Sequence, residues 1–275
     1  GAGRQAAGEW SARRGGDGLR IAGDWETARD YQDGDGRAVR SGYRTRGGNI
    51  ALGRRSERLR LDLTAAYVAI DDALFAGAGM DSPESEMQRV VVAGDWRSGS
   101  DGILRAASWR LAHGAVDHVM DNFSLRPLAA PMAMRAPSST DSTSGHADLT
   151  VALLGGALRW GIAGQRIDQD ATRLAGMDPN AVTAVQSRLW PDVRREEIGV
   201  YAEYDRPVGE RLDLRLGLRI DRHEAEARAA HRDPPPLGMQ DPPAPADLYR
   251  SYYGADADAV TETLVAALLR LDADL

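Results

Sequence analysis

The side chains best suited to chemistry in this sequence are its seven Met, at positions 80, 87, 120, 132, 134, 177 and 239. Thioether sulfur is a soft donor that favours copper(I), and imidazole is compatible with it. His118 stands two residues before Met120. On an extended strand residues i and i+2 face the same side, so the two can point at one site. Met132 and Met134 alternate in the same way within Pro131-Met132-Ala133-Met134, in a stretch that reads as a long loop. Capture of metal on its way in competes there with ordinary loop decoration. Met87, Met177 and Met239 have no companions. Met is also a common gap-filler, so spacing alone leaves a ligand role and a bland role both open.

Other chemistries are poorly supplied. The chain has no Cys, which excludes a disulfide scaffold, a zinc-thiolate site and a cysteine nucleophile within it. His113 sits on an expected strand with its side chain read toward the inside, whereas His146, His223 and His231 lack metal-ligand spacing and read as solvated. Gly15-Gly16-Asp17-Gly18 is a turn without the Lys-Ser/Thr of a phosphate loop. Neither Asp71-Asp72 nor Asp256-Ala257-Asp258 is followed by the Glu that completes a calcium loop. There is no Gly-x-Ser-x-Gly elbow, and Glu196 and Glu197 fall on opposite faces of a strand. Nothing supports an enzyme. All 34 basic residues are Arg, set against 41 acidic ones for a net charge of −7, a balance that argues against nucleic-acid binding.

The elements that must position these residues are strands. From Arg211 to Asp221 every even position is a large aliphatic and every odd one is charged or Gly. That period of two gives one apolar and one charged face, whereas a helix would scatter the charges. Ile198, Val200, Ala202 and Tyr204 alternate likewise, and the turn Arg206-Pro207-Val208-Gly209 joins the two runs as a hairpin. Leu59 to Tyr67 repeats the pattern, as do Leu149 to Leu153 and Leu158 to Ile162 across Gly155-Gly156. Weaker versions lie at 7–14, 18–28, 40–53, 86–97, 102–116 and 262–275. The sum is roughly eleven strands, many of about 10–15 residues against a usual ~5–6.

Connections are asymmetric. Arg54 to Glu57, Arg97 to Asp101, Gly155-Gly156 and Arg206 to Gly209 are tight turns, while 71–85, 117–145, 174–192 and 229–260 read as long links. Short turns at one end and long loops at the other describe an outer-membrane barrel. Such a strand shows lipid only every second side chain, so a mean hydropathy of −0.42 is compatible with it. A soluble β-sandwich or propeller also alternates, but charged faces of this kind would be wasted on a buried core. The expected fold is therefore all-β: part of an antiparallel transmembrane β-barrel. The odd positions of 211–221 would form a polar lumen wall, and some of the six Trp an interfacial girdle.

Particular stretches carry a resemblance. Ala76-Gly77-Ala78-Gly79-Met80-Asp81-Ser82-Pro83-Glu84-Ser85 and Asp117-His118-Val119-Met120-Asp121-Asn122-Phe123-Ser124-Leu125-Arg126-Pro127 are similar to strand–loop segments of TonB-dependent outer-membrane receptors. Leu189-Trp190-Pro191-Asp192-Val193 with Gly199-Val200-Tyr201-Ala202-Glu203, and Leu248-Tyr249-Arg250-Ser251-Tyr252-Tyr253-Gly254, fit the same family. Together they most resemble its copper-receptor branch. The resemblance implies a barrel of about 22 strands with a plugged lumen, so roughly eleven strands make half of it. It also implies an N-terminal plug that couples to TonB. Neither plug nor TonB box is recognisable in residues 1–275, which read as a barrel fragment. Gly1-Ala2-Gly3-Arg4-Gln5 shows no leader pattern, and the chain stops inside an alternating run, in keeping with that expectation.

The copper branch binds its metal between a Cys-x-x-x-Met motif on the plug and two barrel methionines. The resemblance thus assigns ligand roles to Met80 and Met120, with His118 beside them and Met132 and Met134 as weaker capture candidates. The implied cargo is a copper ion. The implied partners are outer-membrane lipid, the receptor's own plug and, through it, TonB, in the outer membrane of a Gram-negative bacterium. Rival readings are a siderophore or cobalamin receptor and a passive porin-like barrel; an aromatic content of 6% and the paired Met stretches favour the metal.

Overall fold

In the computed structural model, residues 2–99, 102–209, 211–234, 242–255 and 258–273 are described. Met239 lies outside the described residues, as do parts of the turn 97–101 and of the link 229–260. Long strands form first: β1 (Gly3–Arg14), β2 (Asp17–Ala28), then a small hairpin of β3 (Tyr31–Gln32) and β4 (Ala38–Val39). They continue with β5 (Tyr43–Arg55), β6 (Leu59–Ala73), β7 (Asp81–Arg97), β8 (Leu104–Asp121) and β9 (Ala133–Leu153). Next come β10 (Gly156–Gly176), β11 (Ala184–Val208), β12 (Leu212–Ala227), one helix α1 (Pro245–Tyr253) and β13 (Ala259–Ala273). Eleven of these strands pair in chain order, each antiparallel to the next, in one open sheet with β1 and β13 at its edges. The eleven long strands expected from alternation are the eleven observed.

Register shows why the alternation matters. One row of paired residues crossing β6 to β13 reads Leu61, Gly94, Trp109, Ala147, Ile162, Val200, Ile220, Val265. Facing the other way, one residue over, the row reads Arg60, Asp95, Ser108, Asp148, Gly161, Tyr201, Arg219, Ala266. A sheet built from such rows has an apolar face and a polar wall, with no conventional core between layers. The buried apolar residues are almost all Ala, while Leu218, Val200 and Ile198 stay about half exposed. In β12 the apolar side runs from Leu212 to Ile220, ~26 Å along the strand. At barrel tilt this is ~20 Å of depth, close to the ~25 Å lipid band of an outer-membrane barrel.

Small residues fit the faces together. Gly94 lies under the Trp109 indole, whose Nε1 would come within 2.5 Å of a Cβ there. Gly161 does the same on the polar wall for Tyr201, whose ring has Arg159 at 5.7 Å and Arg219 at 5.9 Å from its centroid. Wall charges are matched in pairs, with Arg215 to Asp205 at 2.5 Å and Arg219 to Asp221 at 2.7 Å.

The ends of the sheet differ as expected, but the long links are shorter than the sequence indicates. β8 runs on to Asp121, β9 begins at Ala133, β10 reaches Gly176 and β11 starts at Ala184. The links between these long strands are therefore 74–80, 122–132 and 177–183, not 71–85, 117–145 and 174–192. The reason lies in Pro137-Ser138-Ser139-Thr140-Asp141-Ser142-Thr143-Ser144: beyond the apolar band neither face is apolar, so alternation vanishes although the backbone ladder with β8 and β10 continues. Charges there also sit on the side that is apolar lower down. Asp168 receives Arg166 at 2.6 Å, Arg194 at 2.8 Å and Arg228 at 3.3 Å. The hydrogen bond from Arg166 holds its carboxyl below the usual carboxylate range, outweighing the opposing effect of burial with help from Arg194.

Candidate metal site

The expected ligands lie at the long-loop ends of β7, β8 and β9. In β8, alternation places Ser108 and Arg110 on the polar-wall side, and the same count puts His118 and Met120 there. Trp109 and Leu111 face the apolar side, as does His113, whose Nδ1 is 3.0 Å from Thr143 Oγ1. The reading of His113 toward the inside is thus corrected: its register with Val90 and Thr143 fixes it on the other face.

Asp81, the first residue of β7, is the register partner of Asp121, the last of β8. Met80 precedes the one and Met120 precedes the other, so the two Met flank a single cross-strand pair. Diagonal neighbours in such a pair are ~7–8 Å apart, within reach of long side chains. A register shift between Asp81 and Glu84, around Pro83, brings Ser82 Oγ to 3.4 Å from His118 Nδ1. Among the described residues Nε2 of that imidazole has no hydrogen-bond partner, and burial lowers the His118 pKa, favouring the neutral ring that ligates metals.

Met134 is not a loop residue. It is the second residue of β9, and with Met132 it is tied to the end of β8 by Asn122. The Asn122 amide donates to Met132 O at 3.1 Å, its side-chain oxygen accepts the Met134 N–H at 2.8 Å, and its own N–H reaches Met134 O at 3.2 Å. Polar residues on both faces of the early β9 hid this strand in the sequence. Met87 also lies on the polar-wall side, paired with Val68 and Val116, while Met177 is 78% exposed after β10. Among the described residues no group of three or more His, Asp or Glu is arranged to hold a metal. His223 and His231 pair with Glu197 at 3.6 Å and Asp258 at 3.3 Å.

The residues around these Met were not singled out by sequence reasoning. Asp81 is fully buried and accepts from Arg126 Nε at 2.7 Å and Nη2 at 2.5 Å, from Arg40 Nη2 at 2.6 Å and from the Phe75 N–H at 2.9 Å. Burial alone would raise its pKa; these donors overcome it and hold the carboxyl at about 2. Asp121, 1% exposed, accepts the N–H of Phe123 at 3.1 Å and of Ser124 at 2.8 Å, together with the Ser124 hydroxyl. Asp-Asn-Phe-Ser after a strand is an Asx-turn signal, which would have located Asp121. The partners of Asp81 lie 41 and 45 residues away in sequence, beyond any local signal. Chemically, thioether and imidazole are soft donors of the kind copper(I) prefers, and the register sets Met80 and Met120 on either side of one cross-strand pair, with His118 two residues before Met120.

No family model matches the sequence, and no curated protein matches it. Solved structures do. The copper transporter OprC aligns over 100% of this chain and 41% of its own, with a TM-score of 0.74 and 23% identity. BauA, the ferric preacinetobactin receptor of Acinetobacter baumannii, aligns over 98% of this chain and 43% of its own, at TM-score 0.57 and 12% identity. FyuA, the ferric yersiniabactin uptake receptor of Yersinia pestis, gives 98%, 42%, 0.50 and 11%. The chain spans less than half the length of each. Its fold is that of the β-barrel of TonB-dependent outer-membrane receptors, over about two-fifths of a receptor chain.

Proposed function

We propose that this chain is part of the barrel of a TonB-dependent outer-membrane receptor that takes up copper ions. The apolar face of the sheet lies against outer-membrane lipid in a Gram-negative bacterium. The polar wall lines the lumen and meets the receptor's own plug, through which TonB acts. Met80 and Met120 supply thioether ligands at the plug–barrel junction, with His118 beside them, and a plug sulfur completes the set. Met132 and Met134 stand at the extracellular mouth, where they meet the ion first.

The observation that supports this reading is the register of Asp81 with Asp121, which sets Met80 and Met120 on either side of one cross-strand pair, with His118 two residues before Met120 in β8. The likeness to a copper transporter over the whole chain supports the choice of cargo. The test is metal content of the purified full-length protein. Met80→Ala with Met120→Ala is expected to abolish stoichiometric copper by mass spectrometry; copper at the parental level would overturn the ligand assignment.

A further inference from the structure

Above the lipid band the structure holds a cluster that no ligand role accounts for. Asp81 is enclosed at the meeting point of three loops, and each of its charged donors also grips a loop carbonyl. Arg126, in the link 122–132, donates from Nη1 to Ala78 O at 2.6 Å, in the link 74–80. Arg40, after β4, donates from Nη2 to Leu125 O at 2.8 Å. The side chains of Arg126 and Arg40 are 18% and 38% exposed, that of Asp81 not at all. One carboxylate thus ties together the β4–β5 link, the link that ends at Met80 and the link that begins after Asp121.

We infer that the Asp81–Arg126–Arg40 cluster is a clasp that fixes the spacing between Met80 and Met120, making Asp81, Arg126 and Arg40 positioning residues for the metal. The geometry argues for this from both sides of the Met80–Met120 pair. Met80 is covalently next to Asp81, so it moves wherever that carboxylate is held. Met120 is next to Asp121, whose carboxylate closes the turn 121–124 that leads directly to Leu125 and Arg126. Without the clasp, Met80 would hang on the Gly77-Ala78-Gly79 stretch, where two glycines, one of them at φ +75°, leave the backbone its greatest conformational freedom. A soft site built from long, flexible thioethers gains affinity mainly when their anchors are preset.

The inference rests on the copper reading, and the test separates the two. Full-length protein carries nitroxide labels at positions 80 and 120 through a non-canonical amino acid, and the interlabel distance distribution is measured by pulsed electron paramagnetic resonance. In parallel, unlabelled protein is titrated with copper(I) against a chromophoric chelator. Asp81→Asn, which keeps size and removes the charge, is expected to broaden the distances and weaken copper about 10–100-fold, the range seen when partners that orient metal ligands are lost. Arg126→Met is expected to do the same, and Asp168→Asn, an ion-paired carboxylate elsewhere, to do neither. Heat-modifiable migration in gels confirms that each variant is folded, and Arg40→Met replaces any that is not. Unchanged distances, or changed distances with copper affinity within twofold, overturn the clasp. Copper retained by Met80→Ala with Met120→Ala overturns the ligand reading instead, whatever the distances do.

Discussion

A single Arg placed on the apolar face should be costly in proportion to its depth, and β12 offers the measurement. Leu218 sits inside the band, one same-face residue below its upper end at Ile220, with Ala202 of β11 and Ala267 of β13 as register partners and Leu216 and Ile220 on the same face. None of these offers a guanidinium a hydrogen bond, and in lipid no water does. Leu218→Arg is therefore expected to cost about 2 kcal/mol, the low end of the range for a lipid-facing cation at the bilayer midplane, because the site lies somewhat above it. At ~1.4 kcal/mol per tenfold, this is roughly 30-fold in the folding equilibrium. Leu212→Arg, on the same face beside the short turn, should cost about 0–1 kcal/mol, because the side chain there reaches the interface. The neighbour Arg219 is already an Arg, and it is at home because its face carries Asp221 2.7 Å away. The assay is guanidinium unfolding of the full-length protein in lipid vesicles, followed by tryptophan fluorescence, with both variants compared to the parent. Equal costs at 212 and 218, or a cost under ~1 kcal/mol at 218, would refute the assignment of this face to lipid.

Two more outcomes follow from single residues. The Asp81 carboxyl titrates at about 2 when folded against an ordinary 3.8, so it contributes about 2 kcal/mol of stability above pH ~4 that is lost as pH falls through 2. Unfolding midpoints between pH 5 and pH 2 should therefore drop more steeply in the parent than in Asp81→Asn, and parallel curves would refute the buried pairing. Gly161→Val should destabilise by about 1–3 kcal/mol through overpacking, since a Cβ would meet Asp148 Oδ1 at 2.6 Å and the Tyr201 ring at 2.9 Å. An unfolding midpoint unchanged from the parent would show that the wall is looser than its register implies.

Much of this fold is written in residue order because lipid imposes a simple rule. Where one face is apolar and the other wet, as in 211–221, the period of two survives in the sequence and fixes both strand and register. The rule lapses outside the lipid band, which is why Pro137 to Ser144 reads as a loop while its backbone continues the ladder between β8 and β10. His113 fell on the wrong side for a related reason: near the edge of the band one imidazole carries no face preference, and only pairing with Val90 and Thr143 decides it. The helix Pro245–Tyr253, with Gly254 at φ 64° closing its end, also escaped notice, as a single turn-rich stretch within a long link.

The sequence by itself determined the soft donors, the two-faced strands and their number, because residue chemistry and a period-two pattern are local properties. Tertiary structure alone decided which stretches adjoin. Met80 and Met120 are 40 positions apart, and only the β7–β8 register sets them on either side of one cross-strand pair. That register ends in a buried carboxylate whose partners come from two other loops, a coincidence in space that no local pattern encodes.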